Sequence, residues 1–230
     1  MLTLEQSRNV VASRGWLSQT AEHFREAVLA RVSLRPYRLG DTIYAVNDPP
    51  GGMFGVAAGS VKVSSALDED GPYVAHILVP GAWTGYAPAI AGCNRILGLT
   101  AGRDCQLLSL PLHAIDEILA GDPKSWRYLA LLALLDAQTA LGAMEDLTIR
   151  YEFRRFLAVL LRAGGCRYGG GETIRMDLSQ ADLAHMCNLS RNTVGGFLRR
   201  QEAEGLIESG YGAIGLREPA ALRARLANDA

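Results

Sequence analysis

Several kinds of chemistry are missing from this 230-residue chain, and each absence narrows what it can do. Its cysteines, Cys93, Cys105, Cys166 and Cys187, show no C-x-x-C spacing. That removes a zinc knuckle and a cysteine-held iron–sulfur cluster, and leaves thiols of the kind that pack as small apolar groups. There is no His-x-His pair either: His23, His76, His113 and His185 stand apart, so no metal is expected. Cys105 and Cys187 have no recognisable base partner in the sequence, and no nucleophilic constellation forms. No apolar run approaches the ~20 residues that span a bilayer; the longest, LALLALL at 129–135, ends at Asp136. The opening MLTLEQSRNVVASRG lacks the basic-then-apolar layout of a secretory signal, so the expected location is cytoplasmic. Internal repeats and low-complexity segments are also lacking.

The net charge of −1 excludes nothing by itself, but its distribution is informative. Residues 1–149 hold 11 Lys and Arg against 15 Asp and Glu, net −4, whereas residues 150–230 hold 12 against 9, net +3. The basic excess gathers in the C-terminal part, and the length suits two domains.

Residues 16–32, WLSQTAEHFREAVLARV, place Phe24, Val28 and Val32 on one helical face and read as a short packing helix. From about 35 to 111 the texture becomes short β-rich runs (TIYAV, MFGVAAG, SVKVSSA, YVAHILV, CQLLSLP) parted by turn clusters, which predicts an all-β roll or barrel. A long helix then starts at Asp122 and Pro123, a cap and a first-turn proline. Within it Ala130, Ala133, Ala137, Ala140, Met144 and Leu147 repeat at spacings of three and four, the rhythm of a coiled-coil seam. Small residues there would let two backbones come close, so this stripe is expected to hold a dimer together. Leu131, Leu134, Leu135 and Leu141 are expected to pack on the barrel. A further helix, YEFRRFLAVLLRAGG, should stop at Gly164 and Gly165.

The stretch SQADLAHMCNLSRNTVGGFLRR, residues 179–200, carries the sharpest signal. Ser179 with Asp182 is a capping-box-like start for a helix over 180–186. Asn188 stands where the chain must turn, and asparagine tolerates the left-handed conformation. Ser190 can cap a second helix that ends before Gly205. On that helix Val194, Phe197, Leu198 and Gln201 share one face; Arg191, Asn192, Gly195, Gly196 and Arg199 share the other. Two short helices, the second with a polar outer face, form the helix-turn-helix that enters the major groove. LIESGYGAIGL beyond it reads as a hairpin and TIRMDL before it as a strand, so the whole predicts a winged helix.

In this order, barrel, long helix and winged helix, the chain resembles the family of the cyclic-AMP receptor protein and the fumarate-nitrate regulator, the CRP/FNR family. The resemblance rests on L-S-Q-A-D-L-A at 178–184, S-R-N-T-V-G at 190–195, and R-L-G-D-T-I-Y and A-G-S-V-K-V in the barrel. It implies an α+β architecture: a β-roll (double-stranded β-helix, cyclic-nucleotide-binding-like) sensor over 1–121, a dimerisation helix over 122–149 and a winged helix-turn-helix over 150–230. It further implies a homodimeric, non-enzymatic DNA-binding transcriptional regulator on a two-fold-related operator, with RNA polymerase as a further partner. Arg191 corresponds to the family's guanine-reading arginine, Asn192 stands where a glutamate is common, Gly195 matches a small position, and Gly196 replaces a second arginine. Ser179, Gln180, Ser190, Arg199 and the wing at Ser209, Gly210 and Tyr211 complete the expected DNA contacts.

The family's nucleotide cassette matches poorly. Gly85 fits, but Tyr86 replaces the ribose-binding glutamate, Arg95 is followed by Ile96 where a hydroxyl is expected, and the base-contacting pair on the long helix maps to Ala140 and Leu141. Cyclic AMP is therefore not expected to bind, and no cofactor is expected. Another small-molecule effector, or a dimer active without one, remain as alternatives. A haem at His76 is conceivable, although a lone histidine on a barrel strand more often simply packs. Two rival functions stand beside the regulator: a ligand-sensing protein-interaction module with a degenerate helix-turn-helix, and a cupin-like enzyme.

Overall fold

A computed structural model describes residues 1–65, 73–168, 174–210 and 212–228, with Ile174 described by its backbone alone. The chain forms two compact units, Met1–Ala137 and Gln138–Ala230.

The first unit opens with α1 (Leu4–Ser13) and α2 (Glu22–Ala30). Thr3 caps α1 through a reciprocal box: its Oγ1 accepts from Gln6 N at 3.2 Å, and Gln6 Oε1 accepts from Thr3 N at 2.9 Å. The helix expected over 16–32 is shorter than its apolar pattern: Trp16 and Leu17 belong to a tight turn, and the helix starts only at Glu22. Phe24 and Val28 are buried as read.

Eight strands follow: β1 (Ser33–Tyr37), β2 (Thr42–Tyr44), β3 (Met53–Ala58), β4 (Val61–Ser65), β5 (Tyr73–Leu78), β6 (Trp83–Thr84), β7 (Gly98–Ala101) and β8 (Cys105–Leu110), with α3 (Ala87–Ala91) between β6 and β7. They form two four-stranded sheets, ordered β1-β8-β3-β6 and β2-β7-β4-β5, every pair antiparallel. The β8 run CQLLSL does not alternate because both of its faces are buried. Leu107 joins Val56, Val61, Val63 and Leu99 in one core cluster. Leu108 and Leu110 join a second cluster with Trp16, Phe24, Trp83 and Leu129. There the Trp16 indole donates to Tyr128 O at 2.6 Å, tying the N-terminal segment to the start of the long helix.

After β8 come α4 (Leu112–Gly121) and α5 (Trp126–Thr148). Asp122 Oδ1 accepts from Lys124 N at 3.1 Å, so the expected cap is present, one tight turn ahead of α5 proper. The 23-residue α5 runs unbroken past Gly142. Leu131 and Leu135 pack on the barrel-side core. Leu134 and Leu141, expected to do the same, are 55% and 58% exposed; the turn of α5 that meets the core is already filled by Tyr128, Leu129 and Leu132. No helix among the described residues is long and apolar enough to cross a membrane.

In the second unit lie α6 (Glu152–Ala163), β9 (Ile174–Met176), α7 (Gln180–Cys187), α8 (Arg191–Ala203), β10 (Ile207–Gly210), β11 (Ala213–Leu216) and α9 (Pro219–Asn228). The three strands pair antiparallel in the order β10-β11-β9. Helix α6 buries Phe156 to Leu161 without a break and stops at Gly164 and Gly165, the latter at φ +68°.

Candidate nucleic-acid interface

The pair α7 and α8 is built by short-range devices. Ser179 Oγ accepts from Asp182 N at 3.1 Å and donates to Asp182 Oδ2 at 2.7 Å, closing the box that starts α7. At its far end Asn188 adopts φ +51°, ψ +53°, the left-handed turn read from the sequence, while Leu189 N donates back to Ala184 O at 3.0 Å. Ser190 Oγ then accepts from Thr193 N at 3.0 Å and caps α8. Each such cap is worth about 1 kcal/mol. At the other end Gly205, at φ +73°, turns the chain out of α8.

The buried face of α8 fixes its orientation within the unit. Val194, Leu198 and Gln201 are buried, and Phe197 meets Phe153 and Phe156 at ring separations of 5.2 and 5.4 Å. Gln201 Oε1 accepts from Arg225 Nη1 at 2.8 Å, and Arg225 also pairs with Glu204. Arg155, on α6, braces the turn: its Nε donates to Cys187 O and its Nη1 to Ile149 O, both at 2.8 Å.

The opposite face carries the expected polar groups, with two differences in detail. Arg191, Asn192 and Arg199 are exposed, and among the described residues Arg191 and Asn192 have no side-chain hydrogen bond or ion pair. Gly196 is open, with nothing within 4 Å of where a Cβ would stand. Gly195, however, is buried: Gln180 Oε1 and Arg199 Nη1 would stand 3.4 and 3.5 Å from its Cβ. Two polar side chains therefore converge over the helix at this position. The Ser179 hydroxyl, expected toward phosphate, donates its proton to Asp182 instead. In the wing, Ser209 and Gly210 are exposed, Ser209 N donates to Glu202 Oε1 of α8 at 2.8 Å, and Tyr211 lies outside the described residues.

In the first unit the nucleotide-cassette residues close on themselves. Arg95 is 5% exposed. Its Nη1 donates to Gly85 O at 2.9 Å, its Nη2 to Gly52 O at 2.8 Å, and the guanidinium lies 4.2 Å over the Tyr44 ring. Gly85, at φ +86°, must be glycine, because a Cβ would stand 2.9 Å from Arg95 Nη1 and 3.0 Å from Gly52 O. Tyr86 donates its phenol hydrogen bond to Asp136; burial first, and then the Asp136 charge, push the phenol's pKa up. The cavity beside these groups measures about 70 Å³, lined by Tyr44, Thr84, Tyr86, Arg95 and Asp136 among others. Tyr44, Gly52 and Asp136 carry no sequence signal for this place; only the folded chain, strand, loop and helix together, brings them to Arg95. Ala140 and Leu141 fall in the second unit and are exposed.

Burial pushes the Cys105 thiol up to about 11 and the Cys187 thiol up to about 12. Both stay protonated at neutral pH, the state of a packed cysteine rather than a reactive one.

Residues 34–122 match the family model of the cyclic nucleotide-binding domain, and residues 154–225 match that of the Crp-like helix-turn-helix domain. Among solved structures, a candidate cyclic nucleotide binding protein from Ruegeria pomeroyi is 16% identical at a TM-score of 0.72, with 99% of this chain and 100% of that one covered. FixK2 from Bradyrhizobium japonicum is 21% identical at a TM-score of 0.71, covering 86% and 96%. A CRP/FNR-family transcriptional regulator from Thermus thermophilus is 24% identical at 0.64, covering 86% and 100%. No curated protein matches the chain in sequence. The order of the two matched domains on one chain, with α5 running between them, makes this protein a member of the CRP/FNR family.

Proposed function

We propose that the chain is a homodimeric transcriptional regulator that lays α8 in the major groove at each half of a two-fold-related operator. The observation that carries this reading is Arg191: exposed in the first turn of α8, free of intramolecular partners among the described residues, and able to pair bidentately with guanine O6 and N7. Asn192 beside it favours adenine. Open Gly196 reads no base but admits the helix backbone close to the duplex. Gln180 and Arg199, gathered over Gly195, contact phosphate and fix register. The dimer is supported by the face that α5 leaves uncovered: of the six seam positions only Ala133 is even half-buried, and Met144 and Leu147 are 64% and 45% exposed. Half-site centres then lie roughly 34 Å apart, one turn of DNA.

The test is a gel shift on duplex from upstream of the protein's own gene, with selection from a random pool to define the half-site. Arg191→Ala should lose about 1 to 3 kcal/mol on the selected site and relax preference at one base pair. An equal loss on every sequence contradicts base reading.

The sensor domain works without cyclic AMP in this reading. A 70 Å³ cavity is well short of the ~300 Å³ or more of a pocket that encloses a ligand, and both terminal nitrogens of Arg95 are already held by carbonyls. A ligand present at a hundredfold over its Kd stabilises by about 2.7 kcal/mol. Millimolar cyclic AMP should therefore leave both the melting temperature and DNA affinity unchanged; a clear rise in melting temperature overturns this.

A further inference from the structure

A wing that touches the DNA backbone needs positive charge or hydrogen-bond donors at its tip. Here residues 209–212 read Ser-Gly-Tyr-Gly in sequence, with no basic residue. The sheet supplies one from a neighbouring strand. In the three-stranded register Glu208, Gly215 and Arg175 stand in one row across β10, β11 and β9. Gly215 leaves the middle of that row bare, and its neighbours bound a cleft of about 350 Å³ that Ser209, Gly210, Ala213 and Arg217 complete. A Cβ at 215 would stand 2.5 Å from Glu208 Cγ, so a side chain there would displace Glu208.

The two arginines of this cleft differ. Arg217 is spent internally, its Nε and Nη2 donating to Glu208 Oε2 at 3.2 and 2.9 Å. Arg175 is exposed and, among the described residues, has neither hydrogen bond nor ion pair. It reaches toward the wing turn, its Nη2 standing 3.7 Å from the place of a Cβ on Gly210. Arg175 thus brings beside the wing a charge that residues 209–212 do not carry. The cleft is also fixed to α8, because Glu202 of that helix accepts from Ser209 N.

We propose that this cleft is a second binding site for a DNA backbone phosphate, with Arg175 as its cation and the Glu208–Arg217 pair holding its net charge at one. The inference rests on the DNA-binding reading above. Each neutralised phosphate contributes about 0.9 to the slope of log affinity against log salt, so one cation per subunit contributes about 1.8 in a dimer.

The test titrates the full-length protein against its selected duplex and a scrambled one of equal length, from about 50 to 300 mM salt, where this dependence is steep. Arg175→Gln should weaken both duplexes by the same factor and flatten the slope by about 1.8, while Arg175→Lys keeps the slope. Glu208→Gln, which releases Arg217, should tighten binding and steepen the slope by a similar amount. It keeps the proposal testable if Arg175→Gln folds poorly. Wild-type binding with an unchanged slope in both Arg175→Gln and Glu208→Gln overturns the proposal, as does a loss confined to the selected duplex. If the wild type binds neither duplex at low salt, the DNA-binding reading falls and this one with it.

Discussion

Glutamate at Ala137 should turn the protein into a folded monomer that scarcely holds its operator. Ala137 is exposed in the single chain, so the substitution disturbs nothing inside a protomer, and the melting temperature falls only by what association itself contributed. In a two-fold pair the same patch meets itself, so each glutamate arrives opposite its twin. Two like charges lose water together and gain no partner, at several kcal/mol each. Sedimentation should show a monomer at micromolar concentration. Affinity for the two-fold site should fall by roughly 10² to 10⁴, the gain that linking two binding events confers. Ala137→Ser, small and neutral, is the control and should keep the dimer. An unchanged dimer in Ala137→Glu means that the seam lies on another face.

The helix-turn-helix was legible from sequence because its signals are local. Ser179 with Asp182, Asn188, Ser190 and Gly205 each dictate a cap or turn within four residues of themselves, and all four act as read. What the sequence hid depends on distant neighbours. Gly195 reads as bare helix surface until Gln180 arrives from α7 to cover it. The period of α5 marks Leu134 and Leu141 as apolar but is silent on which partner is within reach, and the barrel-side core takes only Leu131 and Leu135 of the four leucines. Arg95 shows the same limit. Its type and place matched a phosphate ligand, yet two carbonyls, one of them 43 residues away, hold it. Helix α1 is a different case: its Thr3–Gln6 box is visible in the sequence, but the helix buries only Ser7 and Val11 and so offers little apolar rhythm. Strands β6 and β7, two and four residues long, exist by pairing with β3, β2 and β4.

Asp146→Ala should cause the largest loss of stability in the second unit, about 3 to 5 kcal/mol. Asp146 sits on α5 at 1% exposure. Its Oδ2 accepts from Arg162 Nε at 2.6 Å and its Oδ1 from Arg167 Nε at 3.2 Å. The Arg162 side chain is itself only 10% exposed, so removing the carboxylate strands a nearly buried cation. Urea unfolding should show the loss in the transition of this unit; a change under 1 kcal/mol would class the pair with solvated surface bridges. Replacing both partners by apolar residues, Asp146→Leu with Arg162→Met, should recover much of the loss, since a buried pair gives back about what its desolvation cost. The same substitution should weaken DNA binding although Asp146 does not lie on the α8 face. The carboxylate joins α5 to α6, and Arg155 of α6 in turn joins the end of α5 at Ile149 O to the α7 hinge at Cys187 O. A dimer helix can set the spacing of two recognition helices only through ties of this kind, so Asp146→Ala should lose two-site affinity more than single half-site affinity. Equal losses on both would mean that Asp146 serves the stability of the winged helix alone.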